Sequence, residues 1–129
     1  MTEKQQVLVV DEEDVSMLVE NKLKNHKDFE VVNEGDTDKA ISRIQNDASI
    51  KVMCLEIHDH IDESSKLLIE KSLNLITEAV NKGIRVVLLS TYTNDQIETV
   101  KQANSILSGA DYVSKNNYND ITSVLDKAA

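Results

Sequence analysis

Proline is absent from this chain, and glycine occurs three times, at Gly35, Gly83 and Gly109. No stretch reads as a Pro- or Gly-rich linker or a low-complexity tail, and residues 1–129 are expected to form one domain. Aromatic residues make up 3% of the chain. A core must therefore come from Val, Ile, Leu and Ala, which the 40% hydrophobic content permits. One cysteine, Cys54, rules out an intrachain disulfide. Its place in the apolar run Val52-Met53-Cys54-Leu55 marks it as a buried, inert thiol. Cations are also scarce: 14 Lys and Arg against 23 Asp and Glu give a net charge of -9. Nucleic-acid grooves and anionic membrane surfaces both need clustered basic side chains, so neither is an expected partner. No apolar run approaches the roughly 20 residues of a membrane span, and Met1–Gln6 lacks the apolar core of a signal peptide. Cytoplasmic localisation is the resulting expectation.

What is present alternates. Val7–Val10 is apolar at every position, as a strand buried on both faces must be. Val15, Leu18, Val19 and Leu23 recur at helical spacing. Phe29–Val32 reads as a second strand ending near Gly35. Thr37 is the expected cap of a helix with Ala40, Ile41 and Ile44 inward. Val52–Ile57 reads as a third strand. Ser64 or Ser65 should cap a long helix carrying Leu68, Leu75, Ile76 and Ala79, with Gly83 in a left-handed conformation beyond its end. Val86–Leu89 is a fourth strand. Asn94 or Asp95 starts a helix with Ile97, Val100, Ala103 and Leu107 inward, Tyr112–Ser114 is a short fifth strand, and Ile121, Val124 and Leu125 mark a last helix. Five strands alternating with five helices predict an α/β domain, a doubly wound parallel sheet covered on both faces.

In such sheets functional groups gather beyond the carboxyl ends of the strands. Asp11-Glu12-Glu13-Asp14 follows the first strand, Glu56 ends the third, Ser90-Thr91 ends the fourth and Lys115 ends the fifth. Neighbouring strand ends would bring Asp11, Glu12 and Glu56 together. Converging carboxylates repel unless a cation or proton holds them, and oxygen ligands of this kind suit a hard ion such as Mg²⁺. A Ser90 hydroxyl and a Lys115 ammonium are suited to phosphoryl oxygens. Singly, each group has an ordinary explanation: acids after a strand complement the dipole of the next helix, and Asp14 is a plausible cap. The ordered set of four is more specific than any member. The His58-Asp59-His60 run reads as a solvated loop and not as a transition-metal site. Asp59 lies too far past the strand end to be a phosphoacceptor.

In this order the residues resemble the receiver domain of two-component response regulators, over nearly the whole chain from Val7 to about Leu125. The resemblance implies a flavodoxin-like fold with strand order 2-1-3-4-5 and five helices. It implies an acidic pair at Asp11 and Glu12, a phosphoacceptor position at Glu56, the family's hydroxyl position at Ser90 and its Lys at Lys115. Tyr112 matches the aromatic switch position, whose ring turns inward as the hydroxyl residue moves toward the phosphoryl group. Mg²⁺ would be held by Asp11, Glu12, Glu56 and the main chain of His58. The implied role is a non-enzymatic phosphorelay switch. Its partners would be a sensor histidine kinase or another signalling protein, with homodimers through the fourth helix, fifth strand and fifth helix.

Three departures stand out. Asn116 replaces the Pro that usually follows the Lys, the loop after the third strand lacks its usual Pro and Gly, and Glu56 stands where the family carries Asp. The extra methylene moves the carboxylate out by about 1.5 Å. In-line phosphoryl transfer loses about 10²-fold for displacements near 1 Å. The expectation is a pseudo-receiver in which Glu56 is poorly phosphorylated, acting either as a mimic of the phosphorylated state or as a phosphorylation-independent interaction module. Two other readings compete. A flavodoxin-like ligand-binding module would want a Gly- or Ser/Thr-rich loop after the first strand, where carboxylates stand instead. A small phosphohydrolase with a carboxylate nucleophile fits Asp11 and Glu13 only loosely.

Overall fold

The computed structural model describes residues 5–10, 17, 21 and 29–114. Five strands, β1 (Gln5–Val10), β2 (Phe29–Asn33), β3 (Ile50–Glu56), β4 (Arg85–Ser90) and β5 (Asp111–Ser114), form one sheet. All pairs are parallel, as the alternating pattern predicts, and the order is β2-β1-β3-β4-β5, as the receiver resemblance implies. Three α-helices stand among the described residues: α1 (Thr37–Asn46), α2 (Glu70–Asn81) and α3 (Asn94–Ala103). The sequence pattern predicts five. The segments expected to supply the first and last, 15–23 and 121–125, lie outside the described residues apart from Met17 and Asn21. Among the described residues no helix is long and apolar enough to cross a membrane.

Strand side chains alternate between two faces, so the all-apolar runs feed two cores. Leu8, Val10, Met53, Leu55, Val86 and Leu88 join Ala40 and Ile44 of α1, Leu75, Ile76 and Ala79 of α2, and Ile97 and Val100 of α3. The opposite face gathers Val7, Val9, Phe29, Val52, Cys54, Val87, Leu89 and Val113. Cys54 is a buried thiol outside any disulfide. Each fully buried Leu or Ile contributes about 1.5–3 kcal/mol, so a chain with few aromatics can still hold this sheet.

Several boundaries differ from the sequence expectation. Asp36, not Thr37, caps α1: its carboxylate accepts the Lys39 N–H at 3.1 Å. By contrast, α3 starts at Asn94 as expected, with Thr93 as its cap. α3 stops at Ala103, and Leu107 is buried from a separate 3₁₀ turn over Ser105–Leu107. The largest difference is at α2. Neither Ser64 nor Ser65 caps it. The Asp62 carboxylate accepts the Ser64 N–H (2.8 Å), the Ser64 hydroxyl (2.6 Å) and the Ser65 N–H (3.2 Å), closing a turn instead. Leu68 stays outside the helix, paired with Ile61 in an isolated antiparallel bridge. Past α2, Gly83 has φ +74°, the left-handed conformation expected of it.

Candidate functional site at the strand carboxyl ends

Parallel register sets the site. Glu56 pairs with Leu89, and Ser90 pairs with Ser114. The ends of β3, β4 and β5 therefore lie side by side, which brings Glu56 and Ser90 to the carboxyl edge of the sheet, with Tyr112 opposite Leu88 just short of it. Glu56 is half-buried and Ser90 fully buried. Asp11, Glu12 and Lys115 lie outside the described residues.

The Ser90 hydroxyl has two partners. It accepts the Tyr92 N–H at 2.9 Å and stands 3.0 Å from His58 Nε2. Thr91 Oγ1 lies 3.3 Å from the same nitrogen. The His58 ring meets the Tyr92 ring edge-on, centroids 4.1 Å apart at 61°. From β5 the Tyr112 hydroxyl donates to the Tyr92 carbonyl and reaches the Ser90 carbonyl at 3.3 Å. The loop after β4 is thus gripped by an imidazole from the turn after β3 and by a phenol from β5.

The sequence reading gives His58 only a main-chain role, in a solvated loop. Ile57–His60 is instead a 3₁₀ turn in which the two His rings face different partners. His58 takes the β4 loop. His60, 5% exposed, places Nδ1 2.5 Å from the Ser72 hydroxyl on α2. A shared transition-metal site is not what this turn builds. Among the described residues no group of three or more His, Cys, Asp or Glu side chains converges on a metal position.

Asn104 is a residue that sequence reasoning misses. It is 8% exposed at the end of α3. Its side chain accepts the Leu68 N–H at 2.8 Å and donates to the carbonyls of Lys66 (2.8 Å) and Val100 (2.9 Å). It pins segment 61–69, whose Lys66 adopts φ 62°, against α3. The one sequence signal is an amide at a position that helical spacing assigns to the core.

No protein-family model matches the sequence, and no curated protein does. Solved structures do. A response regulator from Thermotoga maritima superposes with a TM-score of 0.72 at 23% identity, covering 98% of both chains. The signal receiver domain of a putative Luxo repressor protein from Vibrio parahaemolyticus superposes at 0.70 with 12% identity, over 98% of this chain and 90% of that one. A de novo designed Rossmann 2x3 fold protein reaches 0.64 at 16% identity, over 97% and 91%. A designed chain at nearly the same similarity shows that such superposition speaks to architecture and not to activity. This chain has the flavodoxin-like fold that response regulator receiver domains share.

Proposed function

We propose that this chain is a receiver-type module of two-component signalling whose state does not depend on efficient phosphorylation at Glu56. The observation that carries the reading is the grip on the β4 loop. Ser90 and Tyr112, the positions that resemble the hydroxyl and aromatic switch residues, meet on one loop, and the Ser90 hydroxyl already has His58 Nε2 as a partner. A hydroxyl held this way has less to gain from a phosphoryl group. The longer Glu56 side chain disfavours forming one, by about 10²-fold for a displacement near 1 Å.

The donor set fits Mg²⁺ in chemistry: Asp11, Glu12 and Glu56 offer only oxygen. Those residues would hold the ion, which would offset charge on phosphoryl oxygens. The chain's own groups do the rest. Ser90 and His58 orient the loop after β4, and Tyr112 ties that loop to β5. The module passes on the state of this loop through contacts with a kinase or another signalling protein.

Incubation with acetyl phosphate and Mg²⁺, followed by intact-protein mass spectrometry, tests the reading. Wild type should gain no stable phosphoryl group, whereas Glu56→Asp should gain one. A stable adduct mapped to Glu56 in wild type would refute phosphorylation independence. Failure of Glu56→Asp to label would count against the receiver reading itself.

A further inference from the structure

Five large apolar side chains are exposed among the described residues, and four of them lie along one line on and before α2: Leu67 (50%), Ile69 (43%), Leu73 (42%) and Val80 (42%). Backbone geometry aligns them. Residues 67–69 are extended around the bridge at Leu68, so Leu67 and Ile69 share a side while Leu68 turns inward. The Leu73 N–H donates to the Ile69 carbonyl at 2.9 Å, setting those two side chains one turn apart on one face. Val80, seven residues on, returns to that face. The stripe from Ile69 to Val80 is about 16 Å long, three turns of helix. By contrast, the exposed side of α3, which belongs to the face expected to bind partners, offers Asn94, Asp95, Glu98 and Gln102.

The charges beside the stripe favour one occupant. Lys71 is spent on Asp38, with Nζ 3.6 Å from the carboxylate, and Lys66 Nζ stands over the Tyr92 ring, 5.6 Å from its centroid. Glu63 and Glu70 are exposed and have no ion pair among the described residues. The rim is therefore acidic, on a chain of net charge -9. A second copy would bring the same acids and the same net charge against it, and an anionic bilayer would be repelled as well. We propose that Leu67, Ile69, Leu73 and Val80 form a docking surface for a basic amphipathic helix of another protein. Its apolar face covers the stripe and its Lys or Arg side chains meet Glu63 and Glu70. The surface does not rest on the receiver reading. It is joined to the strand-end site, because the segment that carries Leu67 and Ile69 is tied to His60 through the Ile69 N–H (2.9 Å) and to Tyr92 through Lys66.

The test is a ¹⁵N-resolved NMR titration of the full chain with a synthetic Leu/Lys amphipathic helical peptide. A Leu/Glu peptide of the same apolar spacing serves as control, at about 0.15 M salt, where diffuse attraction is screened beyond about 8 Å. Expected are shift changes centred on residues 67–73 and on Val80 with the Leu/Lys peptide and none with its acidic counterpart. Leu73→Gln should weaken binding by about tenfold or more, as loss of an anchor does. Val80→Gln, at the far end, should weaken it less. Shift changes scattered over the acidic surface and unmoved by either variant would overturn the proposal. Equal binding of the Leu/Glu peptide, or no binding of either, would do the same. A dimer in sedimentation that Leu73→Gln dissociates would assign the stripe to a second copy and also overturn it.

Discussion

α2 and α3 pack on the same face of the sheet, yet they begin in opposite ways. α3 is opened by its own sequence. The Thr93 hydroxyl accepts the Gln96 N–H at 3.3 Å, and the Gln96 side chain returns to the Thr93 N–H at 2.8 Å, a reciprocal cap. Its outer side is polar. α2 starts after Ile69, which makes no side-chain cap, and it carries exposed Leu73 and Val80 among its polar outer residues. What holds α2's start is remote. The His60 carbonyl takes the Ile69 N–H, and Asn104 takes the Leu68 N–H from the far end of α3. One helix is set by local chemistry and the other by pins from elsewhere in the fold.

That contrast can be broken by substitution. The largest effect should come from Asn104→Ala, which strips partners from the buried-side backbone groups of Leu68 and Lys66 and should cost about 1–3 kcal/mol. Urea denaturation measures the loss. Amide exchange should quicken at Leu68 and Ile69 while Ile97, in the first turn of α3, keeps its protection; equal loosening of both helix starts would erase the distinction. Thr93→Ala comes next, at about 1 kcal/mol. Faster exchange should then appear at Gln96 and leave Leu68 unchanged. The smallest effect belongs to Asp62→Asn. The Ser64 hydroxyl, then the amides of Ser65 and Ser64, hold the Asp62 carboxyl below the usual carboxylate range. A depressed folded-state value means the stabilisation is present above the unfolded value and lost as pH falls through the folded one. Asp62→Asn should therefore narrow the gap between urea midpoints at about pH 6 and about pH 3. An unchanged gap would show that the turn before α2 draws nothing from this carboxylate.

Much of the architecture is readable in the sequence. Val7–Val10 and Val86–Leu89 are apolar at every position, and a sheet buried on both faces is the arrangement that satisfies such runs. Gly83 marks the end of α2. Ser90 can be picked out because it ends an all-apolar strand, and Tyr112 through the receiver resemblance. The start of α2 cannot. Ser64 and Ser65 are good caps in isolation, but Asp62 engages both first, and that competition is decided by the folded path of the turn. His58 is misread for a related reason: a half-buried imidazole and a solvated one look alike in a sequence.

The dividing line is sequence separation. The strands, the start of α3 at Asn94 and the residue types at the strand ends follow from neighbours a few positions apart, where periodicity and local hydrogen bonding act. Three features were settled only when distant parts of the chain met: the partner of His58, 32 residues away at Ser90; the pins on segment 61–69 from Asn104, 36 and 38 residues off; and the apolar stripe that this path leaves in solvent. Hydrogen bonds at that range need backbone and side chain placed to within a few tenths of an ångström, and only the packed sheet and its helices supply that placement.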